Sequence, residues 1–259
     1  MNRRMVLPVV LCVLVCLSIP AGAQLIMNPS STCEQGGVEL GPVLAYSEIG
    51  YTGKDDGVGD MDVERILTGV NGAWGLNDWF DLYVSLGFIA NAEPDFSQGM
   101  KGDSGDGFLS GAGIRGVNYE DEYISVMSYA QLSFISEDYG EASETVTDET
   151  GPATVSTETS AEIFDVALGA IVKGYVADGV SVYGGLEFIP YTDGKVKSIT
   201  RTEQNSTVGG STEVSEDIER DLPVTLRVGA NYELDRWSLR GEISLISETG
   251  IMIGAGFLF

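Results

Sequence analysis

Apolar and polar residues alternate with a period of two along most of the chain. From Phe80 to Phe88, the residues Phe, Leu, Val, Leu and Phe alternate with Asp, Tyr, Ser and Gly. The segments from Leu222 to Leu234 and from Trp237 to Leu245 repeat this alternation. Successive side chains of a β-strand point to opposite faces, so each segment would have one apolar and one polar side. The pattern predicts strands at 38–49, 61–75, 80–90, 108–119, 123–136, 161–176, 180–190, 218–234, 237–247 and 250–259.

The predicted connections alternate in length. Short turns fall at 76–79, 120–122, 177–179 and 235–236, and long polar loops fall at 50–60, 91–107, 137–160 and 191–217. Outer-membrane barrels have short turns at the periplasmic end and longer loops outside. We therefore predict an all-β fold, a single antiparallel up-and-down transmembrane β-barrel over residues 38–259, with about ten strands and a range of about eight to twelve. Repulsion among its acidic residues should keep loop 137–160 extended and mobile.

Aromatic residues concentrate near the ends of the predicted strands. All three tryptophans, Trp74, Trp79 and Trp237, flank short turns, and Phe88 and Phe164 stand near long loops. Membrane proteins place aromatic residues at both bilayer interfaces, whereas ordinary core aromatics would spread along the strands. The distribution favours two aromatic girdles.

The N-terminus has the pattern of a secretory signal peptide. Arg3 and Arg4 precede an apolar run that Pro20 ends, and Ala21-Gly22-Ala23 supplies small residues for cleavage. We predict a signal peptide at residues 1–23 with cleavage near Ala23/Gln24, and an N-terminal periplasmic segment at 24–37. No later apolar stretch is long enough for a transmembrane helix.

The composition is strongly acidic. The chain has 14 Lys and Arg against 39 Asp and Glu, and loss of Arg3 and Arg4 would leave 12 against 39, a net charge of −27. This excludes nucleic-acid partners, whose phosphates need cations opposite them. Cys33 is the only cysteine after residue 23, so the sequence predicts no internal disulfide.

The C-terminus is an amphipathic segment that ends on an aromatic residue. Ile251, Ile253, Ala255, Phe257 and Phe259 share one face. This resembles the β-signal by which bacterial outer-membrane proteins are recognised for insertion. With the loop pattern, the whole mature chain resembles the small bacterial outer-membrane β-barrel superfamily, porin-like or OmpA-like, although no motif indicates a specific family. The resemblance implies a bacterial outer-membrane location, and it implies outer-membrane lipid and the barrel-assembly machinery as partners. It leaves the oligomeric state open.

Strand parity predicts charged side chains on the inner face. The candidates are Asp81, Arg115, Asp165, Lys173, Glu187, Arg227, Arg240 and Glu242. A ten-strand barrel has a radius of roughly 10 Å, so side chains from opposite walls nearly meet. Unpaired buried charges are costly, so we expect the basic and acidic residues to pair and fill the lumen. Among these residues, we expect Arg115, Arg227 and Arg240 to pair with Asp165, Glu187 and Glu242.

The sequence favours no catalytic function. The chain has no histidine, and no pair of carboxylates stands out as a substitute general acid and base. The acidic residues near Asp55 and Asp103 do not have the spacing of a calcium loop, so we predict neither a metal site nor a cofactor.

Three functions agree with these patterns. The first is a structural or surface-exposed outer-membrane barrel with acidic extracellular loops and a largely filled, polar lumen. The second is a narrow cation-preferring porin. The third is a soluble periplasmic lipocalin-like barrel that binds lipid and has its apolar face inside. Parity alone does not decide which face is inside.

Overall fold

The computed structural model of the protein describes residues 33, 35–54, 60–96, 104–148, 151–204 and 207–259. The predicted signal peptide and its cleavage site lie outside the described residues. In the described part of the chain, no helix is long and apolar enough to cross a membrane. The strands are β1 (Val38–Gly53), β2 (Met61–Asn77), β3 (Phe80–Phe96), β4 (Gly105–Glu120), β5 (Ile124–Asp148), β6 (Gly151–Ala177), β7 (Val180–Gln204), β8 (Thr207–Arg220), β9 (Val224–Leu234), β10 (Trp237–Ile246) and β11 (Glu248–Leu258).

The strands form one antiparallel sheet that closes on itself. Consecutive strands pair from β1 to β7, β7 pairs with β9, and β10 and β11 lead back to β1. The closing pair places Val43 opposite Gly254. The predicted up-and-down β-barrel is therefore confirmed, with ten strands in the ring.

The four predicted short turns are also confirmed, and they define the short-turn end of the barrel. The side chain of Asn77 accepts hydrogen bonds from the backbone N–H groups of Trp79 and Phe80 at 2.8 and 3.0 Å. Asp121 does the same for Tyr123 and Ile124 at 2.7 and 2.9 Å. Asn and Asp favour such turns because their side chains replace a backbone acceptor.

We call the opposite end of the barrel the hairpin end. The prediction of long loops there, at 137–160 and 191–217, is wrong, because both ranges are mostly strand. β5 and β6 continue through most of the first range, and β7 and β8 through most of the second. Thr and Val are frequent in both ranges, and β-branched residues suit strands. Cross-strand ion pairs, such as Arg201–Glu158 at 2.7 Å, place cations beside some of the acidic residues of these strands.

The predicted strand 218–234 is wrong as a single element. β8 ends at Arg220 and β9 begins at Val224, and the intervening segment contains Pro223, which has no N–H to donate. β8 pairs with β7 from Gly194 to Gln204, at the hairpin end. Through Ile218 to Arg220 it also pairs with the end of β1. Because β9, β10 and β11 do not reach this level, β8 closes the circuit between β7 and β1, and the circuit narrows to the eight strands β1–β8.

The outer face carries a band of exposed apolar side chains. On β3, residues Phe80, Leu82, Val84, Leu86 and Phe88 are exposed and the alternate residues are buried. The segment from Phe80 to Phe88 is long enough for a tilted strand to cross a bilayer, which takes about 9–11 residues. Further along β3, at 91–96, the exposed residues become Asn, Glu and Asp.

Candidate functional site in the barrel interior

All eight predicted inner-face candidates are buried inside the ring of strands. Arg240 is the most exposed of them at 7%. They do not converge on one site but lie in layers along the barrel.

Arg227 is the centre of the middle layer. Its guanidinium donates to Glu187 at 2.7 Å and to Glu242 at 2.8 Å, and all three side chains are fully buried. β9 carries the arginine between the two acid-bearing strands, β7 and β10, so one planar fork reaches both carboxylates. This agrees with the expected pairing of Arg227 with Glu187. Glu242, another of the expected acidic partners, also pairs with Arg227.

Three buried tyrosines reach across neighbouring strands on the inner face, and all three have the same geometry. Each lies directly opposite a glycine of the adjacent strand, and its hydroxyl donates to a residue of the strand beyond. The three rows are Tyr83–Gly113–Gln131, Tyr129–Gly169–Glu187 and Tyr183–Gly229–Glu242. The hydroxyl distances are 3.2, 2.8 and 2.9 Å. A Cβ on any of these glycines would overlap the tyrosine ring, so the rows require glycine.

The layer at the short-turn end contains Arg115 and Asp81. Arg115 donates to Asp81 at 2.7 Å and lies 3.9 Å from Glu39, so its expected pairing with Asp165, Glu187 or Glu242 is wrong. The backbone N–H of Cys33 donates to Asp81 at 3.1 Å. Cys33 packs against Ala73, Tyr83 and Leu258, so this part of the predicted periplasmic segment lies inside the barrel end.

The two remaining cations of the predicted set make other contacts. Arg240 has no carboxylate within 4.0 Å among the described residues, and it packs over Gly254, where a Cβ would lie 2.6 Å from its Nε. Lys173 lies 4.6 Å from the ring centre of Tyr175.

A further layer towards the hairpin end was not predicted. Arg220 donates to Asp165 at 2.7 Å and lies 3.6 Å from Glu248. Arg65 lies 3.1 Å from Glu137, and Tyr139 donates to the same carboxylate at 2.8 Å.

This layer was not predicted because the inner face at this level carries apolar side chains as well as charged ones. Arg65 shares its face with Met61, Val63 and Leu67, which looked like an apolar outer face. A charge within an otherwise apolar face was the available signal.

Apolar side chains pack together inside the barrel at the hairpin end. We call this group the upper apolar cluster, and its buried members are Val43, Ala45, Ile49, Tyr51, Met61, Val63, Leu67, Ile89, Ala92, Phe96, Leu109, Ile135, Tyr139, Ala161, Ile163, Val196, Ile218 and Met252. They come from every strand except β9 and β10. Eight strands leave an interior just wide enough for side chains to fill, which fits the narrowed circuit.

Comparisons with solved structures agree with the architecture. The outer membrane protease OmpT from Escherichia coli aligns with a TM-score of 0.51 at 10% identity, over 91% of this chain and 99% of that one. OprG from Pseudomonas aeruginosa aligns with a TM-score of 0.46 at 7% identity, over 88% and 98%. No protein-family model matches the sequence, and no curated protein matches it. The alignment with OmpT shows that the chain has the fold of an outer-membrane β-barrel, and an identity this low establishes the fold alone.

Proposed function

We propose that the protein is a structural, surface-exposed barrel of the bacterial outer membrane with a closed interior. Residues 1–23 direct export and are removed near Ala23/Gln24. The barrel-assembly machinery then recognises Phe257 and Phe259 as the insertion signal and delivers the strands to outer-membrane lipid.

The apolar band supports membrane placement. Val84 and Leu86 are more than half exposed on the outer face, whereas Asp81, Glu187 and Arg227 are buried inside. A lipocalin-like barrel needs the reverse arrangement at this level, with apolar side chains around a lipid and polar ones outside. Lipid is the environment in which such an outer face is favourable.

The packing of buried ion pairs and apolar side chains inside the barrel is the observation that supports the structural role. Paired charges occur at every level, and towards the hairpin end they lie beside the upper apolar cluster in the narrowed circuit. An ion would have to cross both. The second candidate, a narrow cation-preferring porin, has no comparable support because the inner carboxylates Glu187 and Glu242 are already paired with Arg227.

A non-enzymatic role agrees with the chemistry of the interior. The chain has no histidine, and Arg227 and Arg115 hold the inner carboxylates Glu187, Glu242 and Asp81 as ion pairs. These three carboxylates are therefore occupied by neighbouring side chains of the barrel itself. The acidic hairpins would then face outward and carry the contacts with the surroundings.

Planar-bilayer recordings test this proposal. We expect no steady conductance from the wild type. An Arg227→Ser/Arg240→Ser variant should also stay silent, because the upper apolar cluster still closes the barrel. Adding Tyr51→Ala and Met61→Ala should open a cation-preferring path, since unpaired carboxylates attract cations. A large, stable wild-type conductance would overturn the closed interior and favour the porin.

A further inference from the structure

Four strands extend beyond the rest of the barrel at the hairpin end. β5 pairs with β6 as far as Asp148 and Gly151, and β7 pairs with β8 from Gly194 and Ile218 as far as Gln204 and Thr207. β6 and β7 pair along the same stretch. We call this part the projecting sheet, and its last strand on one side is β8.

The outer edge of β8 is open. In the described part of the chain, β1 pairs with this edge only through Ile218 to Arg220, and no strand pairs with it between 210 and 217. The backbone N–H of Lys54 donates to the Asp217 carbonyl at 2.9 Å, which shows that Asp217 points its backbone groups away from β7.

Backbone direction alternates along an antiparallel strand. Ser211, Glu213 and Ser215 therefore also direct their N–H and C=O groups to the open edge, whereas Thr212 and Val214 bond to β7.

We propose that this edge of β8 binds an extended, positively charged segment of another protein by strand addition. In strand addition the backbone groups of the edge provide hydrogen bonds, and alternate side chains provide selectivity. The inference rests on the proposed surface exposure of the hairpin end.

The edge lacks two of the features that commonly prevent pairing, namely proline and lysine. Natural proteins protect exposed edges with proline, lysine or a covering loop. β8 contains neither proline nor lysine, and residues 210–215 are all exposed.

Charge selects the kind of partner. Glu213, Asp217 and Glu219 lie along the edge on one face, and the whole chain has a net charge of −25. Lys197 and Lys54 pair with Glu213 and Glu219, but these pairs are about half exposed and so are weak. A second copy of the chain would bring another acidic strand, whereas a segment with alternating Lys or Arg would match.

The test uses the full-length protein refolded in detergent and a labelled peptide of about ten residues with alternating Lys and Thr. We expect binding in a fluorescence anisotropy titration, slower hydrogen exchange at the amides of Ser211, Glu213 and Ser215, and weakening by salt. A Ser211→Pro/Ser215→Pro variant removes two free donors without touching the bonds to β7, so its affinity should fall about tenfold or more. The matched control, Ser211→Thr/Ser215→Thr, keeps both donors and should bind as the wild type does.

Three outcomes would overturn the proposal. These are equal binding by the proline variant, equal binding of a peptide with Glu in place of Lys, and self-association of the wild type that the proline variant loses, which would make a second copy the occupant. If the proline variant does not fold, Glu213→Lys/Asp217→Lys keeps the backbone and should weaken binding about tenfold. The titration needs neither a membrane location nor a silent pore. A failure here therefore leaves the proposed function standing, and a conducting wild type leaves the binding result standing.

Discussion

Arg220 and Asp165 form a two-pronged ion pair that ties β8, the strand outside the ten-strand ring, to the barrel interior. Nη2 and Nε of Arg220 donate to one Asp165 oxygen at 2.7 and 3.2 Å, and both side chains are at least 93% buried. Thr192 also donates to Asp165 at 2.6 Å. The pair therefore holds the base of the projecting sheet over the narrowed part of the barrel.

Replacing Arg220 should destabilise the barrel strongly. Arg220→Gln leaves Asp165 buried without a cation, which typically costs about 3–5 kcal/mol. Unfolding of the detergent-folded protein in guanidinium, followed by tryptophan fluorescence, measures the change in the free energy of unfolding. Lys54→Gln breaks the exposed pair with Glu219 and should cost less than about 1 kcal/mol. Similar losses of unfolding free energy for the two variants would show that the buried pair contributes no more to stability than the exposed one.

The tyrosine–glycine rows make a prediction within one strand. Gly169→Ala would press a Cβ into the Tyr129 ring and disturb its hydrogen bond to Glu187, with an expected cost of about 1–3 kcal/mol. Gly174→Ala is the matched control on β6, because the nearest atom to its Cβ would be the Val182 carbonyl oxygen at 4.0 Å, and it should change stability by less than about 1 kcal/mol. The same denaturation experiment compares them, and equal effects would contradict the steric role of Gly169.

Much of the fold could be predicted because the ring strands are amphipathic where they cross the apolar band. On β3, alternation from Phe80 to Phe88 predicted the strand and its two faces, and the outer-membrane interpretation of the loop lengths and aromatic positions then placed Asp81 on the inner face. Glycine was harder to interpret. The glycines of β4 blurred its faces in the sequence, yet Gly113 has a clear role once Tyr83 lies opposite it.

Beyond the apolar band, towards the hairpin end, the two faces are reversed: apolar side chains point into the barrel and polar ones point outward. Val63 and Leu67 lie inside and Glu64 outside, because water replaces lipid around the strand. Arg65 was therefore hidden in what looked like a membrane-facing side. Pairing between distant strands, such as β6 with Arg220 of β8, depends on the stagger and closure of the barrel, which one sequence does not specify.

The apolar band predicts a steep depth dependence on the outer face of β3. Val84→Arg should cost about 2–4 kcal/mol near the bilayer midplane, whereas Glu93→Arg, on the same face beyond the band, should cost about 0–1 kcal/mol. Glu93 lies opposite Glu64, so a cation there also relieves like-charge repulsion. Folding titrations in lipid vesicles measure both variants. Equal costs would mean that the band does not face lipid.

Cys33 should react slowly until the pH is high. Burial raises the pKa of its thiol from 9.0 to about 11, with Asp81 and Glu39 adding to the effect and Arg115 opposing it. Only the thiolate is nucleophilic, so a thiol-reactive disulfide reagent should modify the folded protein slowly up to about pH 10. In guanidinium the reaction should be fast near pH 9.

The same shift links stability to pH. Between pH 9 and about 11 the unfolded thiol loses its proton while the folded thiol keeps it, so stability falls as the pH rises through this window. A Cys33→Ala variant should lose this part of the pH dependence. Rapid modification of the folded wild type at pH 8 would contradict the buried position of Cys33.

Phe259 provides the test of the insertion signal. Its ring is exposed and contacts Phe257 at 4.8 Å between ring centres, and its backbone N–H donates to the Val38 carbonyl at 2.8 Å across the closing pair of strands. Phe259→Ser keeps the backbone bond and removes only the ring, so we expect less folded protein in the outer-membrane fraction, measured by the mobility shift on heating. Phe259→Tyr keeps an aromatic ring and should behave as the wild type.

Because the signal acts through the assembly machinery, unassisted refolding of the Ser variant into vesicles should be affected much less than assembly in cells. Normal membrane levels of Phe259→Ser would remove the basis for assigning the signal to this residue, and equal losses in cells and in vesicles would assign the ring to barrel stability instead.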